Sequence, residues 1–382
     1  MLATTEISVP RPAVDTNGPL SVVLFSTQAK WHGGERQLSL LAEGLRSRGH
    51  DCTIVAKSDS EVANRLGENG FPIVTFTGRG RAPSTLWRLR RFLTQKQPDV
   101  VHFNDSHAIT TGGLASFGLG IPARITSRRV DFRIRSPFRF QVLSDSVFCV
   151  SNAVRRACEN VGIESSRLFV VHDGVDPQGL LPGDRDLFRA ESQIELDRPV
   201  ISCIAKLTDC KGHRYLLEAM REVVETIPNV LLVCAGDGNL RSALEEQTIE
   251  LGLKRNVRFL GYRDDVSQIL SASDLMVISS HTEGLCSSII DAMLLGCPVV
   301  ATAAGGIPDL VTPDGLKLGW LVRPRDPKSL AEGIIEALSD RPMRESRAET
   351  ARDFAYAEFT HSKMIDRTIE GYRRVIKAQV GG

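Results

Sequence analysis

The chain alternates short apolar runs with longer segments of helical periodicity. Residues 35–47, 215–226 and 291–296 keep apolar residues at three- and four-residue spacing, which is typical of helices packed on a sheet. Strands alternating with such helices predict βαβ units and parallel sheets. The runs that predict buried strands begin at Val22, Thr53, Val100, Val147, Val200, Val230, Val257, Leu275 and Pro298.

The alternation is interrupted once, in the Pro-Gly and charged stretch that follows Leu180. Such a stretch suits a linker, and a new series of strands begins at Val200. We therefore predict an α/β protein with two doubly wound domains, residues 18–185 and 186–361. A polar, disordered leader is predicted over residues 1–17, and a last helix over about residues 362–382.

Composition is that of an ordinary globular protein, with 382 residues, 42% hydrophobic and 24% charged. The longest apolar runs have strand length, which predicts no membrane-spanning helix. The leader lacks the basic start and apolar stretch of a secretory signal. The eight cysteines show neither a CxxC pair nor metal-ligand spacing, which is typical of buried thiols in a reducing cytosol. We expect a cytoplasmic protein.

Chemistry is expected in the loops after the strands, because parallel sheets bind ligands at the carboxyl ends of their strands. Glu283, Gly284 and Leu285 follow the strand that begins at Leu275, and a helix is predicted to start near Cys286. Its free N–H groups and dipole suit a diphosphate, and Asp291 lies one to two turns further on. A surface position favoured by the dipole alone is the other interpretation of the two acids.

The loop after the strand at Val200 carries Lys206 and Lys211, and Gly236 begins the turn after the next strand. Two lysines in a strand-to-helix loop can neutralise a diphosphate, which gains negative charge as its bond to a sugar breaks. Taken singly, both lysines are ordinary solvated residues. The proposal depends on their place between a strand and a helix.

In the first half of the chain, two loops are candidates for contact with an acceptor or a donor sugar. Gly33 and Gly34 follow the first strand, where they allow close approach of the backbone to a ligand. His102, Asp105 and His107 lie in or after the strand at Val100. For the two histidines a structural role is an equal alternative.

Two apparent motifs are set aside. The stretch from Gly118 to Ala123 matches GxGxxA, but it follows no strand, and Pro122 stands where a helix should begin. Asp184-Arg-Asp186 resembles the DxD metal motif, but it lies in the predicted linker and is interpreted as a turn.

Several segments in order resemble the retaining GT-B glycosyltransferases of family 4, over nearly the whole chain beyond the leader. They are Gly33-Gly-Glu-Arg, Lys206 to Lys211-Gly, Gly236-Asp-Gly, Glu283-Gly, Asp291-Ala-Met, Gly296-Cys-Pro-Val-Val-Ala-Thr and Gly305-Gly-Ile-Pro. The resemblance implies two Rossmann-like domains, a nucleotide-sugar donor held mainly by the C-terminal domain, retention of anomeric configuration, and neither metal nor cofactor. It also implies that the last helix crosses back to the N-terminal domain.

The same resemblance implies roles for single residues. Glu283 would contact the donor sugar, Lys206 and Lys211 the diphosphate, and Asp291 the ribose hydroxyls. Gly33 and Gly34 would approach the phosphates and the acceptor. The sequence departs from the family in having Asp291 for the usual Glu, Lys206 for a frequent Arg, and Arg128 in the segment where most members have a His.

Basic residues cluster in the first half of the chain. Residues 79–96 contain six basic residues and no acid, and residues 124–139 contain six arginines and the single acid Asp131. We expect an anionic or membrane-borne acceptor, as in lipopolysaccharide or glycolipid synthesis, with contact at the inner face of a membrane. The competing interpretation is a solvated face. No nucleic-acid partner is expected.

Two other functions stay open at this point. A GT-B nucleotide-sugar epimerase would turn over its substrate without an acceptor. A catalytically silent GT-B protein would bind a glycan or a partner glycosyltransferase. The sequence does not identify the donor sugar, the nucleobase or the acceptor.

Overall fold

The fold is that of a computed structural model, which describes residues 15–78, 80–132, 134 and 136–380. Residues 1–14 of the predicted leader lie outside the described residues. The last three leader residues enter a turn, where the Asn17 N–H donates to the Asp15 carboxylate at 2.9 Å. Arg79, Arg133 and Arg135 of the basic segments, and residues 381–382 of the predicted last helix, also lie outside the described residues.

The first sheet has seven strands in the order β3-β2-β1-β4-β5-β6-β7. Pairing from β3 to β5 is parallel. The strands are β1 (Ser21–Phe25), β2 (Asp51–Lys57), β3 (Ile73–Phe76), β4 (Val100–Phe103), β5 (Ala123–Arg128), β6 (Ser146–Cys149) and β7 (Leu168–Val170).

The second sheet has six parallel strands in the order β10-β9-β8-β11-β12-β13. They are β8 (Val200–Ile204), β9 (Leu231–Ala235), β10 (Val257–Gly261), β11 (Leu275–Ile278), β12 (Val299–Thr302) and β13 (Trp320–Val322).

Helices follow the strands along the described chain, and none of them is long and apolar enough to cross a membrane. They are α1 (Gly33–Ser47), α2 (Glu61–Glu68), α3 (Pro83–Lys96), α4 (Ala108–Ser116), α5 (Phe138–Val142), α6 (Asn152–Glu159), α7 (Arg185–Glu191), α8 (His213–Thr226), α9 (Arg241–Glu250), α10 (Val266–Ala272), α11 (Ser287–Leu294), α12 (Ile307–Val311), α13 (Pro327–Ser339), α14 (Arg341–Glu358) and α15 (His361–Val380).

Strand β11 shows why the apolar runs form central strands. Successive side chains of a strand point to opposite faces. Leu275 and Val277 therefore join a core with α8 and α13, whereas Met276 and Ile278 join a second core with α11. Because helices cover both faces, the strand is apolar at every position.

The predicted strands and helices are confirmed with small shifts at their ends. The apolar pattern did not predict β3, β5, β7 and β13, of which β5 has six residues and the others three or four. Strands β3, β7 and β13 lie at sheet edges, where one side is not covered by another strand. Strand β5 lies between β4 and β6, but four of its six residues are polar or charged. The sequences of the three edge strands are mostly apolar but only three or four residues long, shorter than a typical strand of about five or six residues.

Contacts between Cα atoms divide the chain into two compact units. The first holds the described residues up to Thr126, Phe138–Val147 and those from Thr368 on; the second holds Ser127–Pro137 and Phe148–Arg367. The predicted boundary near residue 185 falls between β7 and β8 and so separates the two sheets, whereas the contacts place residues 148–185 in the second unit. Hydrogen bonds from Asn152 N–H to Asp309 (2.7 Å) and from Val175 N–H to the Phe359 carbonyl (2.9 Å) hold this segment there.

The interpretation of Asp184-Arg-Asp186 as a turn is wrong. The Asp184 carboxylate accepts hydrogen bonds from the N–H groups of Asp186 and Leu187, both at 3.0 Å, and caps α7. An aspartate before a helix satisfies N–H groups that have no partner inside the helix. The other rejected motif, from Gly118 on, lies between α4 and β5.

Candidate active site

The predicted donor site lies in the second unit, where the loops after β8 and β11 are neighbours. Strand β8 lies between β9 and β11, so the chain continues to opposite sides of it. At such a point the loops at the carboxyl ends diverge and leave a crevice for a ligand. The loop after β8 carries both predicted lysines, and the loop after β11 carries the predicted glutamate.

The two loops touch through their backbones at Gly212. This residue has a φ of 66°, in the left-handed region, and a Cβ there would clash with the carbonyl oxygen of Ser279. The Ser279 hydroxyl in turn donates to the Lys211 carbonyl at 2.9 Å. Glycine therefore lets the loops approach closely enough for their side chains to meet.

Lys211 and Glu283 form an ion pair between these loops. The Lys211 Nζ lies 2.5 Å from the Glu283 Oε1, which also accepts a hydrogen bond from the Ser280 hydroxyl at 2.9 Å. Only 8% of the Glu283 side chain and 24% of the Lys211 side chain are exposed. Burial by itself lowers the pKa of Lys211, but the Glu283 carboxylate outweighs it, so the pKa is raised and the lysine is charged.

Three other predicted donor residues lie in loops that follow β8, β9 and β11. Lys206 is exposed at the start of the loop after β8. Gly236 follows β9, and its N–H donates to the Gly261 carbonyl at 2.8 Å. Gly284 needs to be glycine, because a Cβ there would clash with the carbonyl oxygen of Arg129.

Helix α11 begins beside Glu283. Cys286 is its N-cap residue and makes no capping hydrogen bond through its side chain, while Leu285 before it is half-buried. Helix starts of this kind offer N–H groups to an anion. Burial raises the pKa of the Cys286 thiol to about 12, so the thiol is neutral. Asp291 lies half-buried in the second turn of the helix.

The segment around Arg128, where most family members have a His, contains a carboxyl group to which the sequence analysis assigned no role. Asp131 accepts a hydrogen bond from the Glu283 N–H, and burial raises its pKa. The buried Arg128 donates to the Phe132 carbonyl, and burial lowers its pKa. Arg128 thus fixes the local backbone, while Asp131 is the side chain tied to the Glu283 loop. The feature of the sequence that could have indicated Asp131 is that it is the single acid in an arginine-rich segment.

In the first unit, Gly33 and Gly34 open α1, and no atom would meet a Cβ at Gly33 within 4 Å. The Gly34 carbonyl accepts a hydrogen bond from the Asn104 side chain at 3.2 Å. The start of α1 is therefore open to solvent at Gly33 and tied to the loop after β4 at Gly34.

Asp105 has a structural role in the first unit. Its carboxylate accepts hydrogen bonds from the Thr27 N–H and hydroxyl, both at 2.7 Å. It also accepts from the N–H groups of His107 and Ala108, both at 2.9 Å, at the start of α4. These bonds join the loops after β1 and β4.

The two predicted histidines have different surroundings. His102 is 3% exposed and its Nδ1 lies 2.5 Å from the hydroxyl of Tyr372 in α15, which favours the structural alternative. His107 is exposed, 3.4 Å from the Arg81 guanidinium, and lines a cavity of about 550 Å³. Only His107 is open to a ligand.

Most of the described arginines in the two basic segments contact the protein itself. Arg88 donates to the Thr75 carbonyl and Arg90 to that of Phe117, both at 2.7 Å. Arg124 pairs with Asp145 at 2.6 Å, and Arg129 pairs with Asp173 at 2.9 Å. Arg81 lies at the cavity, beside His107. The two segments therefore do not act as one anion-binding surface.

The family follows from two matches that together extend over most of the chain. Residues 31–178 match Glycosyltransferase Family 4, and residues 184–354 match Glycosyl transferases group 1. The chain belongs to glycosyltransferase family 4. The Lys211–Glu283 pair lies within the second match.

Curated relatives of this chain have stated roles of their own. LpsE of Rhizobium meliloti, a lipopolysaccharide core biosynthesis glycosyltransferase, is 32% identical over 178 residues, 47% of this chain and 51% of LpsE. A D-inositol 3-phosphate glycosyltransferase of Mycolicibacterium smegmatis is 29% identical over 246 residues, 62% of this chain and 55% of the relative. The chain spans about half the length of these relatives.

Solved structures show the fold of this chain. HepE of Anabaena, in complex with UDP and glucose, aligns with a TM-score of 0.77 and 23% identity over 92% of this chain and 99% of HepE. Sucrose-phosphate synthase of Thermosynechococcus elongatus aligns with a TM-score of 0.74 and 19% identity over 94% and 99%. The predicted GT-B fold, with two Rossmann-like domains, is confirmed.

Proposed function

We propose that this glycosyltransferase moves a sugar from a nucleoside diphosphate sugar to an acceptor hydroxyl with retention of anomeric configuration. The observation that carries the proposal is the buried Lys211–Glu283 pair, beside the start of α11 and between two loops at the carboxyl ends of parallel strands. The presence of UDP and glucose in the similar structure of HepE supports a nucleotide-sugar donor here.

Direct transfer with retention suits the residues of this site. The bond between the anomeric carbon and the phosphate oxygen breaks, and its electron pair leaves with the diphosphate. The acceptor oxygen bonds to the same face of the sugar, and its proton passes to the leaving phosphate. Lys206, Lys211 and the start of α11 stabilise the charge that develops on the diphosphate. Glu283 holds the sugar and faces the positive charge at its anomeric carbon.

Neither a covalent thiol nor a metal ion is part of the proposal. The neutral Cys286 thiol, with its pKa of about 12, is a poor nucleophile. Two lysines supply the positive charge that a metal ion supplies elsewhere. Turnover is therefore expected to persist in the presence of a chelator.

The biological role follows from the relatives. LpsE is named for lipopolysaccharide core synthesis, which supports a role in a cell-envelope glycan for this chain. All eight cysteines are free thiols, which fits a reducing cytoplasm. We place the reaction on the cytoplasmic side, with peripheral contact to the membrane where the acceptor is lipid-borne.

A donor screen followed by a transfer assay tests the function. Nucleotide sugars are ranked by thermal stabilisation, which reaches about 2.7 kcal/mol for a ligand at 100 times its dissociation constant. The best donor is then incubated with glycan and glycolipid acceptors, with and without EDTA, and the anomeric configuration of the product is read by NMR. Glu283→Gln should lose transfer, whereas Glu218→Gln, an exposed acid on α8, should keep it.

Three results would contradict parts of the proposal. Conversion of the donor without any acceptor would favour the epimerase. Stabilisation by a nucleotide sugar without turnover under any condition would favour the silent binding protein. A product of inverted configuration would refute retention.

A further inference from the structure

The first unit has a cavity of about 550 Å³ at the carboxyl ends of its strands. Strand β1 lies between β2 and β4, so the loops after these strands meet at the point where the order of the sheet reverses. The lining combines the loop after β1 with Lys57 at the end of β2, Arg81 before α3 and His107 before α4.

The charge of this lining is one-sided. It includes Lys30, Lys57 and Arg81, together with His32 and His107, and none of its described residues is acidic. Within the described part of the chain, no ion pair neutralises these three cations. Such a concave cluster of one sign attracts an anion.

Two acids, Asp105 and Glu35, accept hydrogen bonds from residues of the lining. The Asp105 carboxylate accepts four hydrogen bonds, two from Thr27 and two from N–H groups at the start of α4. Glu35 is buried and accepts a hydrogen bond from the His32 N–H at 3.2 Å. Both carboxylates are thus held by groups of the protein, beside the cavity and not within its lining.

We propose that this cavity binds a phosphate group carried by the acceptor, through Lys30, Lys57 and Arg81. The inference rests on the proposed function and names its class of acceptor, a phosphate monoester. Arginine binds phosphate through a planar, two-pronged set of donors, and lysine adds a mobile point charge. The phosphate belongs either to a small soluble acceptor or to a lipid headgroup.

Binding is measured without turnover, so that failure of catalysis does not affect the result. In the soluble arm, the full chain is titrated with glycerol 3-phosphate and, as a control, glycerol. In the lipid arm, it is floated with phosphatidylcholine vesicles that contain or lack phosphatidic acid, at low and high salt. Binding in the first arm alone indicates a soluble acceptor, and binding in the second a lipid-borne one.

The decisive comparison uses two variants of equal net charge. Lys30→Gln/Lys57→Gln/Arg81→Gln removes the cations of the cavity, and Arg88→Gln/Arg91→Gln/Lys96→Gln removes three from α3. The first should weaken phosphate binding about 30-fold or more, since one charge-assisted hydrogen bond alone contributes a factor of about ten to a hundred. The α3 variant should bind like the wild type.

Absence of binding in both arms, or equal loss in both variants, would overturn the proposal. Circular dichroism checks that each variant is folded. If the cavity variant does not fold, Lys57→Gln and Arg81→Gln are tested singly, and each should weaken binding about tenfold. Unchanged affinity in both single variants would equally refute the site.

Discussion

Replacing Lys211 by methionine tests whether the Lys211–Glu283 pair holds the two loops of the donor site together. Methionine keeps most of the length of the side chain and removes its charge. Only 8% of the Glu283 side chain is exposed. Its carboxylate would lose the ammonium group and retain the hydrogen bond from the Ser280 hydroxyl at 2.9 Å. A buried charge without its counterion is strongly destabilising.

The expected magnitude follows from the distance and the burial. At 2.5 Å and an effective dielectric constant of about 20, the gross attraction is about 7 kcal/mol, an upper limit. Removing one partner of a buried pair costs about 3–5 kcal/mol. Because 24% of the Lys211 side chain is exposed, we expect the lower end, about 3 kcal/mol, for Lys211→Met.

A double-mutant cycle separates the pair from the single residues. Glu283→Gln should cost less than Lys211→Met, since the amide still accepts from Ser280 and the partly exposed ammonium reaches water. The double variant should be more stable than the sum of the single losses predicts, with a coupling energy of about 2 kcal/mol. Lys328→Met, at an exposed lysine on α13, is the control and should change little.

The assay must report the second unit alone, because chains with two domains need not unfold in one step. Trp320 serves this purpose, since it is 5% exposed and its Nε1 donates to Glu336 at 2.8 Å. The other two tryptophans, Trp31 and Trp87, lie in the first unit and are replaced by phenylalanine. Urea unfolding is then followed by the fluorescence of Trp320.

The same variants connect the pair to function. Lys211→Met should weaken the binding of a nucleoside diphosphate, because a charge-assisted contact with phosphate is lost. Glu283→Gln should leave this affinity nearly unchanged and remove most of the transfer. Additive losses in the cycle would refute the pair, unchanged nucleotide affinity in Lys211→Met would place the phosphate site elsewhere, and full transfer by Glu283→Gln would refute its contact with the sugar.

Two further predictions concern the stability of the second unit, measured by the same fluorescence. Arg189, fully buried, donates to Asp274 and to the carbonyls of Ala272, Leu196 and Arg198, so Arg189→Met should cost about 3–5 kcal/mol. Arg185→Met removes a 40% exposed partner of Asp274 and should cost less than about 1 kcal/mol; equal losses would contradict this account. Burial lowers the pKa of His213 to about 4 from an ordinary 6.5, so its contribution is present above pH 6.5 and is lost as the pH falls toward 4. In the wild type this loss should amount to about 3 kcal/mol of unfolding free energy, and it should be absent in His213→Leu. An equal loss of stability between pH 6.5 and 4 in both proteins would refute the assignment to His213.

Most central strands of both sheets could be predicted because helices cover both faces and favour apolar side chains there, whereas the more polar central strand β5 was not predicted. Strands β8 and β11 are examples, with each face joined to a helix-lined core. The edge strand β13 has three residues, of which Leu321 and Val322 are partly exposed, and so short an apolar run does not by itself indicate a strand. Sequence patterning thus detects long apolar runs, and it fails where a strand is very short or carries polar residues.

Glu283 and Lys211 could each be predicted from their place after a strand, but their pairing could not. It depends on the order of strands in the sheet, which brings together loops that are far apart along the chain. Asp105 and His102 show the converse. Both lie where ligand contacts are expected, yet their partners are Thr27, the start of α4 and Tyr372. A polar residue after a strand looks the same in sequence whether the protein or a ligand satisfies it.

The basic residues show most clearly why charge along a sequence differs from charge in space. The arginines of α3 are close together in the sequence, but Arg88 and Arg90 donate hydrogen bonds to backbone carbonyls and not to a ligand. The cations of the cavity come singly from separate loops and are sparse in the sequence. Where cations converge without an acid in the described lining, their mutual repulsion opposes folding unless an anion offsets it. An anionic acceptor should therefore be sought at Lys57 and Arg81, not along α3.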